Sequence, residues 1–225
     1  MPLSSYSESS TRTALRDVTD LQQPRVKNHM LLEQGSPGKI VVLNGFPGTG
    51  KLTILQYLKK LLPADTTCLL DNHLLIDPVV ADIPDRSDRH HELRRLVRAP
   101  IFEELGSRAK KDHTILMTVC LAAESQRDAT FFQEHLDISR KSHVPIYWIN
   151  LRCDIDILEQ RLSAPERQQS NKSKLTDVHI VRDLVKFHRL IEPIATECDG
   201  AMLTFEEMDA NGSVESSARR LMGIV

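Results

Sequence analysis

The sequence predicts an α/β protein with a five-stranded parallel sheet covered by helices on both faces. Short apolar runs of the kind found in buried strands recur at 39–44, 66–71, 115–122, 144–151 and 201–205. Helical patterns separate them, and those after the first lie at 88–110, 124–140, 154–163, 177–192 and 213–223. Parallel strands need such crossover segments, because a tight turn cannot join them.

Composition divides the chain in two parts. Residues 1–37 are rich in Ser, Thr, Gln and charged residues, which is typical of a flexible tail that buries too little apolar surface to order itself. Residues 38–225 contain all of the apolar runs and are predicted to form one domain. A chain of 225 residues can bury about 70% of its unfolded surface, so it needs no disulfide or metal to hold a core.

Charge and residue spacing disfavour several classes of protein. The 29 basic and 31 acidic residues leave a net charge of −2, so a nucleic-acid partner is not expected. No apolar run approaches the roughly 20 residues of a membrane span, and the N-terminus lacks a secretory signal. The cysteines form no C-x-x-C pair, which disfavours a zinc site and fits a reducing compartment. We therefore expect a soluble cytoplasmic protein with no membrane partner.

A glycine-rich loop follows the first predicted strand. The strand is KIVVLN at 39–44, and the helix beyond the loop places Leu55, Leu58 and Leu62 on one face before Pro63 ends it. Loop glycines let backbone N–H groups converge on phosphate oxygens, and the helix N-terminus adds a favourable dipole. The spacing is that of a G-x-x-x-x-G-K phosphate-binding loop, the Walker A pattern. Its predicted nucleotide-binding residues are Gly45, Phe46, Pro47, Gly48, Thr49, Gly50, Lys51, Leu52 and Thr53.

The end of this loop departs from the strict pattern. A Ser or Thr that ligates magnesium normally follows the lysine, but here Leu52 follows Lys51 and Thr53 comes one residue later. With this ending the loop resembles those of adenylate kinase-like small-molecule kinases of the P-loop superfamily. The resemblance implies a three-layer P-loop NTPase fold, ATP and Mg²⁺ as cofactors, and catalysis by Lys51. It leaves open whether Thr53 ligates Mg²⁺ or whether only water and phosphates do.

The second predicted strand ends in Asp71, followed by Asn72 and His73. Ligands bind at the carboxyl ends of parallel strands, so Asp71 should lie near the γ-phosphate. There it accepts the proton of an incoming hydroxyl or orders a magnesium-bound water. The placement is similar to that in the shikimate, gluconate and chloramphenicol kinases, where an aspartate at the end of the second strand meets the acceptor alcohol. Asn72 and His73 are further candidates for acceptor binding. Capping of the helix that starts near Leu74 is the alternative for Asp71, and simple packing is the alternative for His73.

Three arginines lie on one side of the predicted helix 88–110, and they are Arg94, Arg95 and Arg98. They form either a solvated basic face or an anion-binding site for an acidic acceptor. If one residue binds the anion, Arg98 is the candidate.

A polar, cationic segment at about 161–176 is predicted to be a helical lid. Such segments close over a transferring phosphoryl group, exclude water and neutralise its oxygens. The segment contains Arg161, Arg167, Lys172 and Lys174, and the resemblance to kinases implies that Arg161 and Arg167 are the catalytic lid arginines. A solvated charged loop is the alternative.

Missing motifs disfavour two classes of P-loop protein. The chain has NKSK at 171–174, without the aspartate of the guanine-reading NKxD motif of GTPases. The third predicted strand has no aspartate at its apolar tip, which argues against an AAA-type motor, because hydrolysis there depends on an acidic pair.

The sequence favours an ATP-dependent kinase that phosphorylates a hydroxyl of a small molecule, as a monomer or a dimer. A nucleoside or nucleotide kinase is the near alternative, but aromatic residues make up only 4% of the chain and stacking platforms for a second base are scarce. An ATP-binding regulatory protein without transfer activity is the alternative from another class. The near-neutral charge is evidence against a polynucleotide end kinase.

Overall fold

The computed structural model describes residues 38–85, 87–164, 175 and 177–225. Its five strands are β1 (Lys39–Asn44), β2 (Thr67–Leu70), β3 (Thr114–Val119), β4 (Ile146–Arg152) and β5 (Leu203–Asp209). All pair in parallel in the order β2-β3-β1-β4-β5. The predicted class, a parallel α/β sheet of five strands, is confirmed.

Seven α-helices surround the sheet in the described part of the chain. They are α1 (Lys51–Leu61), α2 (His73–Asp82), α3 (Asp88–Ala109), α4 (Gln126–Ser142), α5 (Ile155–Leu162), α6 (Val178–Phe187) and α7 (Val214–Ile224). Short 3₁₀ turns lie at Ala64–Thr66 and Ala195–Glu197. None of the described helices combines the length and apolar character that a membrane crossing needs.

Two apolar layers, one on each face of the sheet, form the core. On one face Val41 and Leu43 of β1 pack with apolar residues of α1 and α7. On the other face Ile40 and Val42 pack with residues of α3 and α4, and Trp148 of β4 lies fully buried there. Since successive side chains of a strand point to opposite faces, a central strand covered on both sides must be apolar throughout. This explains the continuous apolar run of β1.

Some element bounds differ from those predicted. The fifth strand is Leu203–Asp209 rather than 201–205, because its alternating and partly exposed side chains lack a continuous apolar run. The helix predicted at 177–192 ends at Phe187, where His188 turns to an extended conformation. The chain then pairs with the segment after β3: Ile191 N–H donates to Leu121 O at 3.1 Å, and Ala123 N–H donates to Arg189 O at 2.8 Å.

The arginines of α3 do not form one solvated basic face. The helix continues through Pro100, Arg98 is only 8% exposed, and Leu96 is 54% exposed. Arg98 can be buried because Glu134, a carboxylate of α4, pairs with it. The predicted tail 1–37 and most of the predicted lid, including Arg167, lie outside the described residues.

A buried amide pair joins the carboxyl ends of three strands. Asn44 at the end of β1 donates to Asn150 Oδ1 of β4 at 3.0 Å and accepts the N–H of Leu121 at 2.8 Å. Asn150 donates to Ile191 O at 3.0 Å, and Trp148 Nε1 donates to Asn150 Oδ1 at 3.2 Å. Each amide thus has partners for both its oxygen and its nitrogen, as burial requires.

His135 of α4 is fully buried in an aromatic cluster. Its ring centroid lies 4.9 Å from that of Phe102, 4.6 Å from that of Phe131 and 5.7 Å from that of Trp148. Nδ1 donates to the carbonyl oxygen of Phe131 at 2.8 Å, and Nε2 has no hydrogen-bond partner among the described residues. Burial lowers the pKa of His135 to about 4, because the charged imidazolium would lose its hydration.

We expect His135 to destabilise the protein in acid. Between pH 6.5 and 4 the unfolded chain binds a proton at this site that the folded protein does not, so stability falls as pH falls, by about 3 kcal/mol in total. His135→Phe should keep the aromatic packing and remove this contribution. The measurement is the free energy of unfolding from pH 7 to 4.5, with exposed His179→Gln as the control. Equal pH slopes for wild type and His135→Phe would contradict the assignment.

Candidate functional site

The phosphate loop has the backbone conformation that its glycines predict. Gly48 and Gly50 have φ values of +94° and +86°, in the left-handed region that side chains disfavour. Gly50 directly precedes α1, whose first residue is Lys51. A Cβ on Gly48 would lie 3.2 Å from Leu158 Cδ2 and 3.3 Å from Leu162 Cγ. The backbone angles of Gly48 and the closeness of α5 therefore both disfavour a side chain at this position of the loop.

The ammonium of Lys51 lies over this loop. Its Nζ donates to Gly45 O at 2.5 Å and to Phe46 O at 3.0 Å, and Thr49 Oγ1 also donates to Phe46 O, at 2.9 Å. The positive charge is thus concentrated where the backbone turns into the N-terminus of α1. A helix N-terminus with an adjacent lysine is a favourable place for a phosphate.

Asp71 is a buried carboxylate at the carboxyl end of the sheet, where it contacts β3. It follows β2, it is 5% exposed, and its Oδ1 accepts a hydrogen bond from Thr118 Oγ1 at 3.1 Å. The same hydroxyl accepts the N–H of Asn72 at 3.1 Å. Asp71 Oδ1 also accepts the N–H of His73, at 3.4 Å, so Asp71 contacts the first turn of α2 as its capping alternative suggested. Thr118 therefore fixes the orientation of this carboxylate.

One cavity of about 1020 Å³ brings the two predicted half-sites together. The phosphate loop, Asp71, Asn72 and His73 all line it, together with residues of α2, α3, α4 and α6 and of the segment after β3. Leu52 and Thr53 both line it, so the hydroxyl one position late in the pattern still faces the same space. Arg98 lines the cavity as well, whereas Arg161 does not.

Arg98 already has a carboxylate partner. Its Nε and Nη2 donate to the two carboxylate oxygens of Glu134, at 2.5 and 2.7 Å, and its guanidinium lies 4.1 Å from the centre of the Phe131 ring. A two-point pair of this kind has ideal geometry and is strong when buried. An acidic acceptor at Arg98, as the sequence suggested, would therefore compete with Glu134.

Arg161 lies against the outer side of the phosphate loop. From α5 it donates to the carbonyl oxygens of Ala210 at 2.9 Å and Gly212 at 3.2 Å, and to Thr49 O at 3.4 Å. These contacts tie the phosphate loop to the segment between β5 and α7. In this structure Arg161 supports the loop rather than facing the cavity, and Arg167, its predicted partner, lies outside the described residues.

Two groups that line the cavity, Asp128 and Cys120, are not among the predicted site residues. Burial raises the pKa of Asp128 although its Oδ2 accepts the N–H of Ala122 at 2.9 Å. Ser125 Oγ accepts the N–H of Asp128, so Ser125 is the N-cap of α4. The S-x-x-D spacing was a usable signal for this arrangement. Cys120 directly follows β3 and is an exposed thiol that lines the cavity.

The described residues supply few ligands of their own to a metal ion. No group of three His, Cys, Asp or Glu side chains is placed to hold one in the parts of the chain that the structure describes. Thr53 and Asp71 offer oxygen atoms to the same cavity. This set fits a Mg²⁺ ion bound mainly by nucleotide phosphates and water, as is usual for that ion.

Fold and phosphate loop together define a P-loop protein. The family model described as an AAA domain matches residues 41–182, more than half of the sequence, and the chain belongs to this family. The match covers the phosphate loop, Asp71 and the start of α6. At the end of β3 the chain has Val119, Cys120 and Leu121, without the acidic pair on which an AAA-type motor depends. No curated protein matches the sequence.

Solved structures share the fold at low sequence identity. A sugar kinase from Janibacter sp. HTCC2649 has a TM-score of 0.52 at 15% identity, over 83% of this chain and 94% of its own. The tunicamycin resistance protein of Deinococcus radiodurans has a TM-score of 0.51 at 14% identity, over 84% of this chain and 95% of its own. A gluconokinase from Sinorhizobium meliloti 1021 reaches 0.48 at 13% identity, over 83% and 90%. The predicted resemblance to P-loop kinases is confirmed for the fold.

We expect Gly48→Ala to destabilise the protein. The left-handed backbone costs a residue with a side chain about 1–2 kcal/mol, and the new methyl group would crowd Leu158. Thermal unfolding should shift down by about 2–8 °C. The control is Gly223→Ala, since an added Cβ there meets nothing within 4 Å and lies in a helix. An unchanged melting temperature for Gly48→Ala would show that the loop does not hold this conformation in solution.

Proposed function

We propose that the protein is an ATP-dependent phosphotransferase that moves the γ-phosphoryl group to a hydroxyl of a small molecule. The observation that carries the proposal is the single cavity that joins Lys51 of the phosphate loop with the oriented carboxylate of Asp71. Its size suits a nucleotide and a small acceptor together. The sugar kinase and gluconokinase named above support the same direction by their names alone.

The loop is proposed to hold the triphosphate. Its two left-handed glycines let the backbone approach the phosphates closely, and Lys51 exchanges its bonds to Gly45 and Phe46 for bonds to the β- and γ-phosphates. Mg²⁺, bound with the nucleotide, would neutralise phosphate charge, and Thr53 and Asp71 are the side chains placed to contact it or its waters.

Asp71 is proposed to activate the acceptor. The acceptor oxygen forms a bond to the γ-phosphorus, the bond from that phosphorus to the β–γ bridging oxygen breaks, and ADP leaves with the bond electrons. The hydroxyl proton passes to the carboxylate of Asp71. The hydrogen bond from Thr118 holds the carboxylate in one orientation while this occurs.

The lid assignment belongs to the same proposal. Arg167 and the neighbouring cations would close over the phosphoryl group and exclude water, which otherwise accepts the phosphate. Arg161 donates to Thr49 O of the loop, and to act on the phosphate it would have to leave the carbonyls of Ala210 and Gly212.

Lys51→Ala tests the nucleotide site. Removal of the ammonium should weaken binding of a non-hydrolysable ATP analogue by at least about tenfold, because a charge-assisted hydrogen bond to phosphate is lost. Titration calorimetry measures the dissociation constant. Lys60→Ala, an exposed lysine of the same helix, is the control and should bind as wild type. Normal affinity in Lys51→Ala would remove the loop from the nucleotide site.

Asp71→Asn tests transfer separately from binding. The variant should bind the ATP analogue within about twofold of wild type, while its turnover should fall by about 10²–10⁴, the usual contribution of a general base. Turnover is followed as label moving from γ-labelled ATP to compounds of a metabolite extract. Asp82→Asn, at the exposed end of α2, is the control. If wild type itself binds ATP and labels no compound, the ATP-binding regulator without transfer is the better description.

A further inference from the structure

We propose, resting on the phosphotransferase function above, that the acceptor is an uncharged, hydroxyl-rich small molecule rather than a carboxylate or a phosphate ester. The evidence lies in the acceptor side of the cavity, meaning the part lined by α2, α3 and α4. Three of the four arginines that line its described part, Arg95, Arg98 and Arg127, form ion pairs with carboxylates of the protein, and these carboxylates line the cavity too.

The innermost of these pairs is Arg98 with Glu134. Both donor–acceptor distances are short, and the Arg98 side chain is only 9% exposed. An acceptor carboxylate would have to displace Glu134, which is held at hydrogen-bond distance within the same fold. It would also leave the Glu134 charge unpaired in a partly buried place, which is strongly unfavourable. The buried guanidinium is thus unsuited to bind an external anion.

Two of the outer arginines are also paired with carboxylates. Arg95 donates through Nε and Nη2 to the two oxygens of Glu92, at 3.0 and 2.7 Å, and Arg127 pairs with Asp88. Burial raises the pKa of Asp128. The backbone hydrogen bond from Ala122 and the nearby charge of Arg94 both act in the opposite direction. Exposed pairs of this kind are weak, so the buried pair carries most of the selectivity.

The charge balance of the whole lining points the same way. Five cationic and six acidic side chains line the described part of the cavity, and they are Lys51, Arg94, Arg95, Arg98 and Arg127, with Asp71, Asp88, Glu92, Glu124, Asp128 and Glu134. Lys51 belongs to the nucleotide, so the acceptor side has the larger share of carboxylates. An anionic acceptor beside a triphosphate would add repulsion that these residues do not offset.

The same lining suits hydroxyl groups. Paired guanidinium and carboxylate groups present donors and acceptors side by side, and a hydroxyl both donates and accepts. Asn72, His73 and His91 add further polar groups, while Ile76 and Val80 give an apolar wall for C–H surfaces. A polyhydroxylated molecule such as a sugar or polyol has both kinds of surface. Charge is thus the property that this pocket selects against.

The charge class of the acceptor can be measured before its identity is known. A metabolite extract is passed over a cation exchanger and an anion exchanger, which gives cationic, anionic and neutral fractions. Each fraction is incubated with the full chain, Mg²⁺ and γ-labelled ATP, and acid-stable labelled products are counted. We expect product from the neutral fraction. Product arising mainly from the anionic or the cationic fraction would overturn the inference and leave the phosphotransferase function intact.

Failure of the proposed function gives a different result. If the protein binds the ATP analogue but no fraction yields a labelled product, transfer itself is refuted, and the acceptor class falls with it. Lys51→Ala, run in parallel, shows that any label depends on the phosphate loop.

Glu134→Gln tests the charge filter directly. The substitution keeps the shape and one hydrogen-bond acceptor for Arg98 but removes the neutralising charge. We expect labelling from the anionic fraction to rise by at least about tenfold over wild type, since a freed guanidinium binds carboxylates well. The matched control is Glu104→Gln, because Glu104 pairs with Arg108 and neither residue lines the cavity. Equal labelling of the anionic fraction by wild type and a folded Glu134→Gln would refute the role of this pair.

Discussion

The buried amide pair of Asn44 and Asn150 is the interaction on which the site depends. It joins the last residue of β1 to β4, to the chain leaving β3 at Leu121, and to the returning chain at Ile191. The phosphate loop begins one residue after Asn44, so its starting point is fixed inside the sheet. Loss of one amide would leave the other with an unsatisfied buried polar group, which costs about 1–3 kcal/mol. The pair thus fixes the positions of the three segments that begin at Gly45, Leu121 and Ile191 at the edge of the sheet.

Much of the fold could be predicted because its determinants are local. A strand covered on both faces must be apolar throughout, and a phosphate loop needs glycines and a lysine at fixed spacing. The fifth strand was placed too early, since half of its side chains are exposed and its pattern is broken. The end of α6 was placed too late, because pairing of residues 189–191 with 121–123 is a tertiary interaction that no local pattern contains.

The candidate site could be predicted only where a strand end determines it. Asp71 was found because it follows an apolar run, but Thr118, which orients it, looks like any residue of a buried strand. The pairing of Arg98 could not be predicted, because its partner Glu134 is 36 residues away on another helix. Sequence patterns show which charges exist, whereas pairing across helices decides which of them a ligand meets. The part of the cavity lined by α2, α3 and α4 could therefore not be predicted from the sequence.

The antiparallel contact between Ala122 and Leu190 holds one part of the cavity lining in place. It fixes residues 189–191 to the segment after β3, and α6 ends directly before them. His188, the extended residue between the helix and the contact, also lines the cavity, and its imidazole lies 3.6 Å from Glu124. The chain at His188 is thus anchored on both sides, by the last turn of α6 and by the paired segment, so this stretch of the lining is built into the fold.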